Sequence, residues 1–564
     1  MRLRRLFLGL AACAAVAQIA AFPLPEDSTA RNGVKQHKVS HVGRYKVDGP
    51  ALPDVGLHPN WAQGLARRYR GAGIDATVYH YDSYPTGWNQ AETDLTPATV
   101  GSASFGQITT LNVDGNVFAQ PLLVSNFPVP HKGTHDVLIV ATGHNTVYAY
   151  DAHDYTILWQ RSLGTSQATN DVGCGDIQPE YGISSTPVIL RTAQDAATIY
   201  VVAASEPASF SFHTKIHALD LGTGRDIVKA KEIRPQGRLL TGGKIHFDPQ
   251  NQWNRASLQY HDGSIYMGIG SHCDNNAGQI SGWMLRYDTN LNLVSKFNTI
   301  KATAGYELSS IWMAGFSPAI APDGRVYAIT GNGFYNQARG HKGYGESVLG
   351  FTPDLKIDSM FTPQEWQSLN NSDADFGSGG AMLIPMVDGQ TAPPMLVGSG
   401  KSGTVYLLNA DNLGGLEHNG QGSLQKIGQG GCWCAAAYYR NASGNGVVFY
   451  QGNGDNLHAY QVNTGATPSL TNVANGSGGG GFGGSFPIVS SNGTTANTGV
   501  VWLIRRNSTE QLEAYNAATL GAPIFHSNAG TWSNGSRAYL TPLVANGRVY
   551  VPAYKTVTVF GLTD

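Results

Sequence analysis

The sequence predicts an all-β fold: an eight-bladed β-propeller of four-stranded antiparallel blades, preceded by a loop-rich N-terminal extension. Three observations lead there. Glycine supplies 70 of the 564 residues while only 13% are charged, a composition suited to many short strands and tight turns rather than to helices. A unit made of an apolar strand, a turn, a second strand ending in an aromatic residue and an Asp/Asn turn recurs eight times. Within each copy the apolar residues alternate with period two, the signature of half-buried antiparallel strands.

The chain opens on "MRLRR" followed by "LFLGLAACAAVAQIAA", a cationic stretch and an apolar run with small residues at its end. We read residues 1–21 as a signal peptide and expect a secreted or periplasmic protein. "LAAC" also fits a lipoprotein cleavage pattern with Cys13 as the acylated residue, but the apolar run continues past Cys13, which favours the ordinary cleaved leader. No later stretch approaches the ~18 consecutive apolar residues of a membrane span. Net charge is −2 with the signs well mixed, which gives no electrostatic case for nucleic acid. Residues 22–106 are rich in turn formers and form the extension, with one short helix expected near 61–70.

From 107 to 564 the repeats take over. The clearest is "VLIVATGHNTVYAYDAHDYTILWQRSLG", residues 137–164, and looser copies begin near 198, 264, 325, 395, 447, 500 and 548. A β repeat of this length cannot bury both faces of one sheet alone, so its copies pack side by side in a ring. "TTLNVDGNVFAQPLLV", residues 109–124, precedes the first copy and is expected to close that ring against the last. Asp151 and Asp288 at strand ends are read as turn residues binding nearby amides.

"VYAYDAHDYTILWQ" resembles the repeat of pyrroloquinoline-quinone (PQQ) propellers, and the resemblance runs over roughly residues 107–562. It is shared by the quinoprotein alcohol dehydrogenases and by non-catalytic propellers, so it implies a fold and leaves two functions open. On the first, the chain is an exported oxidoreductase that oxidises an alcohol or sugar hydroxyl with PQQ and Ca²⁺. On the second it is a binding or scaffold protein. A propeller hydrolase or lyase would need a Ser-His nucleophile signature, and the sequence offers none.

Segments in family order supply the site the resemblance implies. "CGD", residues 174–176, stands where the family has Cys-Cys-Asp, placing Cys174 and Asp176 at the cofactor's lid, with Gly175 in place of the second cysteine. Glu180-Tyr181-Gly182 stands where the family places an arginine on a PQQ carboxylate, and Arg255 in "NQWNRASL" is the substitute. Asp274 and Asn332, the latter in "TGNG", fall on metal-ligand positions, and Trp312 on the floor beneath the quinone. "NNSDADFGSGG" carries Asp375, catalytic base and third metal ligand, with Asp373 as the second base candidate. Lys401 falls where a cation meets the quinone oxygens. An aspartate, an asparagine carbonyl and a second aspartate form the hard-oxygen set that Ca²⁺ takes.

Each residue also has a plainer reading: Asn332 and Lys401 as turn residues, Trp312 as inter-blade core, Asp373 and Asp375 as loop caps. Cys174 and Cys273 are placed in equivalent loops of successive blades, within disulfide reach if their Cα atoms approach within ~7 Å. Cys432 and Cys434 either form a very small ring or stay free. No Cys-x-x-Cys-His is present, so electrons would leave to a separate acceptor. Five Asn-x-Ser/Thr sequons, at Asn441, Asn475, Asn492, Asn507 and Asn534, mark polar turns in the C-terminal third.

Overall fold

In the computed structural model the described residues are 73–563, apart from 241, 276–279, 301–307, 338–341, 388 and 533–538. The leader and the helix expected at 61–70 lie outside them. The described chain forms eight sheets of four or five strands, antiparallel apart from one added parallel edge pair in each of two sheets, and each sheet is one of the predicted repeats. Blade 1 runs from Leu122–Val129 through Ile157–Ser162, and blade 2 from Val188–Ala193 through Asp226–Glu232. Blades 3 to 7 begin with Gln259–His261, Ala319–Ile320, Ala381–Ile384, Ala437–Arg440 and Ile488–Ser490. No described helix is long and apolar enough to cross a membrane.

The ring closes through blade 8. Its last strand, Tyr554–Leu562, pairs antiparallel with Phe105–Asn116 from the start of the chain, Phe105 opposite Leu562. The expected closing segment 109–124 is therefore two elements. Its first part belongs to that closing strand, while residues 122–124 already start blade 1. Between blades apolar packing is joined by polar contacts, such as Arg286 to Asp354 from blade 3 to blade 4. Trp159, on the outer strand of blade 1, donates its Nε1–H to Leu221 O of blade 2 at 2.8 Å. The strand-end acids serve the turns: Asp151 accepts from His153 N at 2.7 Å, and Asp288 from the amides of Asn290 and Asn292.

The part of the extension from residue 76 to 89 threads the middle of the ring. Ala76 pairs with Leu123 of blade 1, and Thr77 O accepts from Ile189 N of blade 2 at 2.8 Å. Asp82 O accepts from the Gln259 side chain of blade 3 at 3.1 Å. The carbonyls of Ser83, Tyr84, Thr86 and Gly87 accept from Ile320, Leu383, Tyr438 and Val489, the first strands of blades 4 to 7. Asn89 Nδ2 donates to Val544 O of blade 8 at 2.9 Å. Tyr79, His80, Tyr84 and Trp88 are buried there. Tyr79 and His80 stack at 4.3 Å, and both meet Phe316 edge-on. This aromatic plug fills the axis.

Two buried acids away from the charged site make stability depend on pH. Asp82, in the plug, accepts from Tyr84 N, Thr86 N and the Thr86 hydroxyl, yet burial pushes it up to about 7. Burial pushes Glu510 of blade 7 up to about 8, against the pull of Arg506. A carboxyl that binds its proton more tightly when folded stabilises the fold fully below its unfolded pKa. That contribution is lost as pH rises through the folded value. Between pH 7 and 9 the pair is expected to withdraw about 2 kcal/mol, which calorimetry on metal-free protein would register as a falling thermal midpoint. The Asp82→Asn/Glu510→Gln variant should flatten that slope. A midpoint that rises with pH across this window would contradict the assignment.

Candidate active site

In each blade the loop after the second strand and the connection to the next blade leave the sheet at the same face. Every predicted site residue stands in one of these two kinds of loop. Asp274, Asn332 and Lys401 follow the second strands of blades 3, 4 and 5; Trp312 and the pair Asp373/Asp375 lie in the next connections along the chain. Together with Cys174, Asp176 and Arg255 they line a single cavity of about 550 Å³.

Its charged end is dense. Asn332 N donates to Asp375 Oδ1 at 2.6 Å, while Asn332 Nδ2 reaches Asp373 Oδ1 at 2.7 Å and Asp274 Oδ2 at 3.3 Å. Lys401 Nζ lies 2.7 Å from Asp373 and 2.6 Å from Asp375. Asp375 is buried, whereas the Asp373 side chain is 74% exposed at the cavity mouth. A Cβ on Gly331 would lie 2.3 Å from Asp375 Oδ1 and 3.1 Å from Trp312 Nε1, so the acid and the Trp312 ring both close on the same glycine. Backbone strain gathers here as well. Cys273, Asp274, Met313, Ala314, Glu346 and Asp373 all have φ between 43° and 52°, which non-glycine residues seldom adopt outside sites that require it.

The electrostatics follow from burial. Asp375 is pushed above the usual carboxylate range by burial; Lys401 opposes this and the Asp274 charge adds to it. Partial burial raises Asp373 too, but donation from Lys401 and Asn332 outweighs it and holds that acid low. Burial would lower Lys401; the two aspartates more than reverse it, so the ammonium keeps its proton.

Glu346 is the acid that sequence reasoning missed. It lies beneath this group, fully buried, with Oε2 accepting from Phe376 N at 2.6 Å and its own N–H bound to Gly331 O at 3.0 Å. It thereby ties the Asn332 turn to the Asp375 turn. Burial, with Asp375 nearby, pushes Glu346 far up, so it is held neutral. Glu346 also has a φ of +49°.

The lid region differs from expectation in its premise. Cys174 and Cys273 form a disulfide, Cα–Cα 5.7 Å, but the loops are not equivalent. Cys174 lies in the connection between blades 1 and 2, and Cys273 in a loop inside blade 3. Tyr181 braces this corner by donating to Cys174 O at 2.8 Å. Beside it His272 is clamped between Tyr181 and Trp253, and burial brings it down to about 3, so the imidazole is neutral. The Asp176 carboxylate lies within 4.8 Å of both sulfurs. Because the sulfurs are joined, this trio is not a thiolate metal site.

Arg255 is buried among rings, its Cζ 4.6 Å from the Tyr539 centroid, 5.2 Å from Trp253 and 6.0 Å from Trp312. The lining also includes an aromatic pair: Trp433 and Phe482 face each other at 5.4 Å, and Cys432 is bonded to Cys434 across Trp433.

Among solved structures the chain is similar to the quinohemoprotein alcohol dehydrogenase of Comamonas testosteroni, with TM-score 0.56 and 14% identity over 90% of this chain and 82% of that one. A europium-containing methanol dehydrogenase gives TM-score 0.56 and 12% identity over 89% and 100%. The fold is that of the quinoprotein alcohol dehydrogenases. The quinohemoprotein alcohol dehydrogenase ADHIIG of Pseudomonas putida HK5 agrees, with TM-score 0.52 and 13% identity over 86% and 80%. At these identities the likeness is one of fold. No protein-family model and no curated protein matches the chain. The quinoprotein propeller thus supplies the frame, and what this chain does in it rests on its own side chains.

Those side chains fit a hard cation beside a flat, anionic cofactor. Asn332 Oδ1 is buried and has no hydrogen-bond partner, an uncommon cost unless another group uses it. Turning the amide over aims that oxygen at the side of Asp274 and Asp373, the two carboxylates the amide nitrogen now meets, and gives an all-oxygen donor set.

Proposed function

We propose that this chain is an exported oxidoreductase that oxidises an alcohol or sugar hydroxyl, using PQQ and a bound hard cation, Ca²⁺ in the first instance. The convergence of Asp274, Asn332, Asp373 and Asp375 beside Trp312, with Asn332 Oδ1 unpaired, is the observation that carries it. When bound, PQQ supplies a two-electron acceptor whose reactive carbonyl the cation polarises.

The chain's own groups do the rest. Trp312 offers a flat surface, while Arg255 and Lys401 offer cations to a cofactor's carboxylates and oxygens. Asp375, with its raised pKa and close contact to the metal set, takes the hydroxyl proton of the substrate. Lys401 holds that carboxylate in place and offsets negative charge. Electrons leave to a separate acceptor. The non-catalytic reading draws on the missing Cys-Cys pair and on Glu180-Tyr181-Gly182, and the same experiment decides between the two.

That experiment is reconstitution of the purified protein with PQQ and Ca²⁺, with Eu³⁺ as a parallel arm suggested by the europium-containing neighbour, followed by dye-linked oxidation of an alcohol panel. Uptake of one equivalent of PQQ and substrate-dependent dye reduction are expected. Asn332→Ala should weaken metal affinity about 10- to 100-fold. Absence of cofactor uptake, or uptake indifferent to Asn332→Ala, would leave the binding-protein reading standing.

A further inference from the structure

Two aromatic side chains of the cavity lining, Trp433 and Phe482, stand on tightly constrained backbone. Trp433 sits between Cys432 and Cys434, whose disulfide brings their Cα atoms to 4.8 Å, and its N–H is bound to Gly483 O at 2.9 Å. Both cysteines are fully buried, and the Trp433 ring between them is only partly covered.

Phe482 lies in "GSGGGGFGGS", a stretch that composition alone would read as a flexible loop. Its glycines have a different reason. A Cβ on Gly481 would stand 2.1 Å from Arg506 O, and one on Gly483, where φ is +81°, would stand 2.4 Å from Arg506 Nη2. Arg506 also donates to Phe482 O and, at 3.3 Å, to Gly484 O. The glycines therefore let this loop pack tightly, and Phe482 is presented at a fixed place although its side chain is 45% exposed.

A phenylalanine that packs on Trp433 yet stays 45% exposed gains less for folding than a buried one. Preorganised aromatic faces at a cavity mouth bind flat apolar partners at low entropic cost. The position is specific: Lys401 Nζ, which touches both Asp373 and Asp375, lies 5.8 Å from the Trp433 ring centroid. Lys401 thus stands between the Asp375 carboxylate and the Trp433 ring, and Phe482 lies beyond that ring in the same cavity.

We propose that Trp433 and Phe482 form the substrate-selecting wall of this site, and that the substrates are primary alcohols whose carbinol carbon carries an aromatic ring. The Cys432–Cys434 disulfide acts as a positioning device for Trp433. This inference rests on the oxidoreductase reading given above for the same cavity.

The test uses benzyl alcohol and 1-propanol on the full protein, with two separate readouts. Without cofactor, saturation-transfer NMR should show saturable binding of benzyl alcohol and not of 1-propanol. Phe482→Ala, which alters an exposed side chain, should weaken that binding at least tenfold, and Trp433→Ala likewise. With cofactor, wild type should prefer benzyl alcohol in kcat/KM by at least tenfold, and the Cys432→Ser/Cys434→Ser variant should lose most of that preference through KM while taking up PQQ as before. Uptake of PQQ with no ring preference overturns the wall and leaves the oxidoreductase reading intact. If PQQ is not taken up, the NMR arm still decides: ring binding lost in both aromatic variants supports the wall, and equal binding of the two alcohols overturns it.

Discussion

Replacing Asp375 by asparagine is expected to cut the dye-linked oxidation rate of the reconstituted protein by about 10²- to 10⁴-fold, the range a positioned general base contributes. The substitution keeps the size of the side chain and an oxygen to accept from Asn332 N, so the turn survives. It removes the charge that Lys401 faces at 2.6 Å and the basic oxygen that would take the hydroxyl proton. Asp373→Asn is expected to cost less, because that carboxylate stands at the solvent-exposed mouth. The two variants separate the roles when kcat and metal affinity are measured side by side. An Asp375→Asn protein within threefold of wild type, with Asp373→Asn inactive, would exchange the two assignments.

The second large effect concerns the axis. A chain shortened to begin after Gly101 keeps the closing strand Phe105–Asn116 but loses the plug. Four buried aromatic side chains leave with it, worth about 1.5–3 kcal/mol each on transfer, and the blade groups they served are left facing an open channel. The loss is on the order of 10 kcal/mol, comparable to the whole stability of a typical domain. We expect the shortened chain to show no cooperative urea transition and to elute as aggregate. Tyr79→Ala, a gentler probe, should cost about 3–5 kcal/mol in the same titration. A monomeric shortened chain with an unchanged midpoint would show the plug to be dispensable.

What could be read from the sequence was whatever repeats. The second strands of blades 1, 3, 4 and 5 end in glycine-bearing turns, "TGHN", "GSHC", "TGNG" and "GSGK", so a residue's position in the motif fixed its face of the ring. Asp274, Asn332 and Lys401 could be placed for that reason. Trp312, Asp373 and Asp375 lie in connections of varying length, and only their order along the chain located them. The plug was illegible because "ATVYHYDSYPTGWN" serves a different blade every one to five residues. Such a segment has neither the period of a strand nor that of a helix. Glu346 was hidden because a lone glutamate before a strand reads as a solvated turn, and only the packing of the Phe376 turn against it reveals its burial. Trp433 and Phe482 were missed because a Cys-x-Cys ring and a glycine run gain their meaning only from what packs against them.

The threading of residues 76–89 also has a bearing on how many blades the ring can have. Propeller blades pack on their neighbours through local contacts that would serve a ring of seven or nine nearly as well. Here a single segment hydrogen-bonds all eight blades, its main chain meeting blades 1 to 7 in chain order from Ala76 to Gly87 and its Asn89 and Tyr81 side chains meeting Val544 of blade 8. A smaller ring would strand one of these groups inside the axis, and a larger one would leave an inner strand unmatched, each an unsatisfied buried polar group costing about 1–3 kcal/mol. The extension thus acts as a gauge that specifies the number eight.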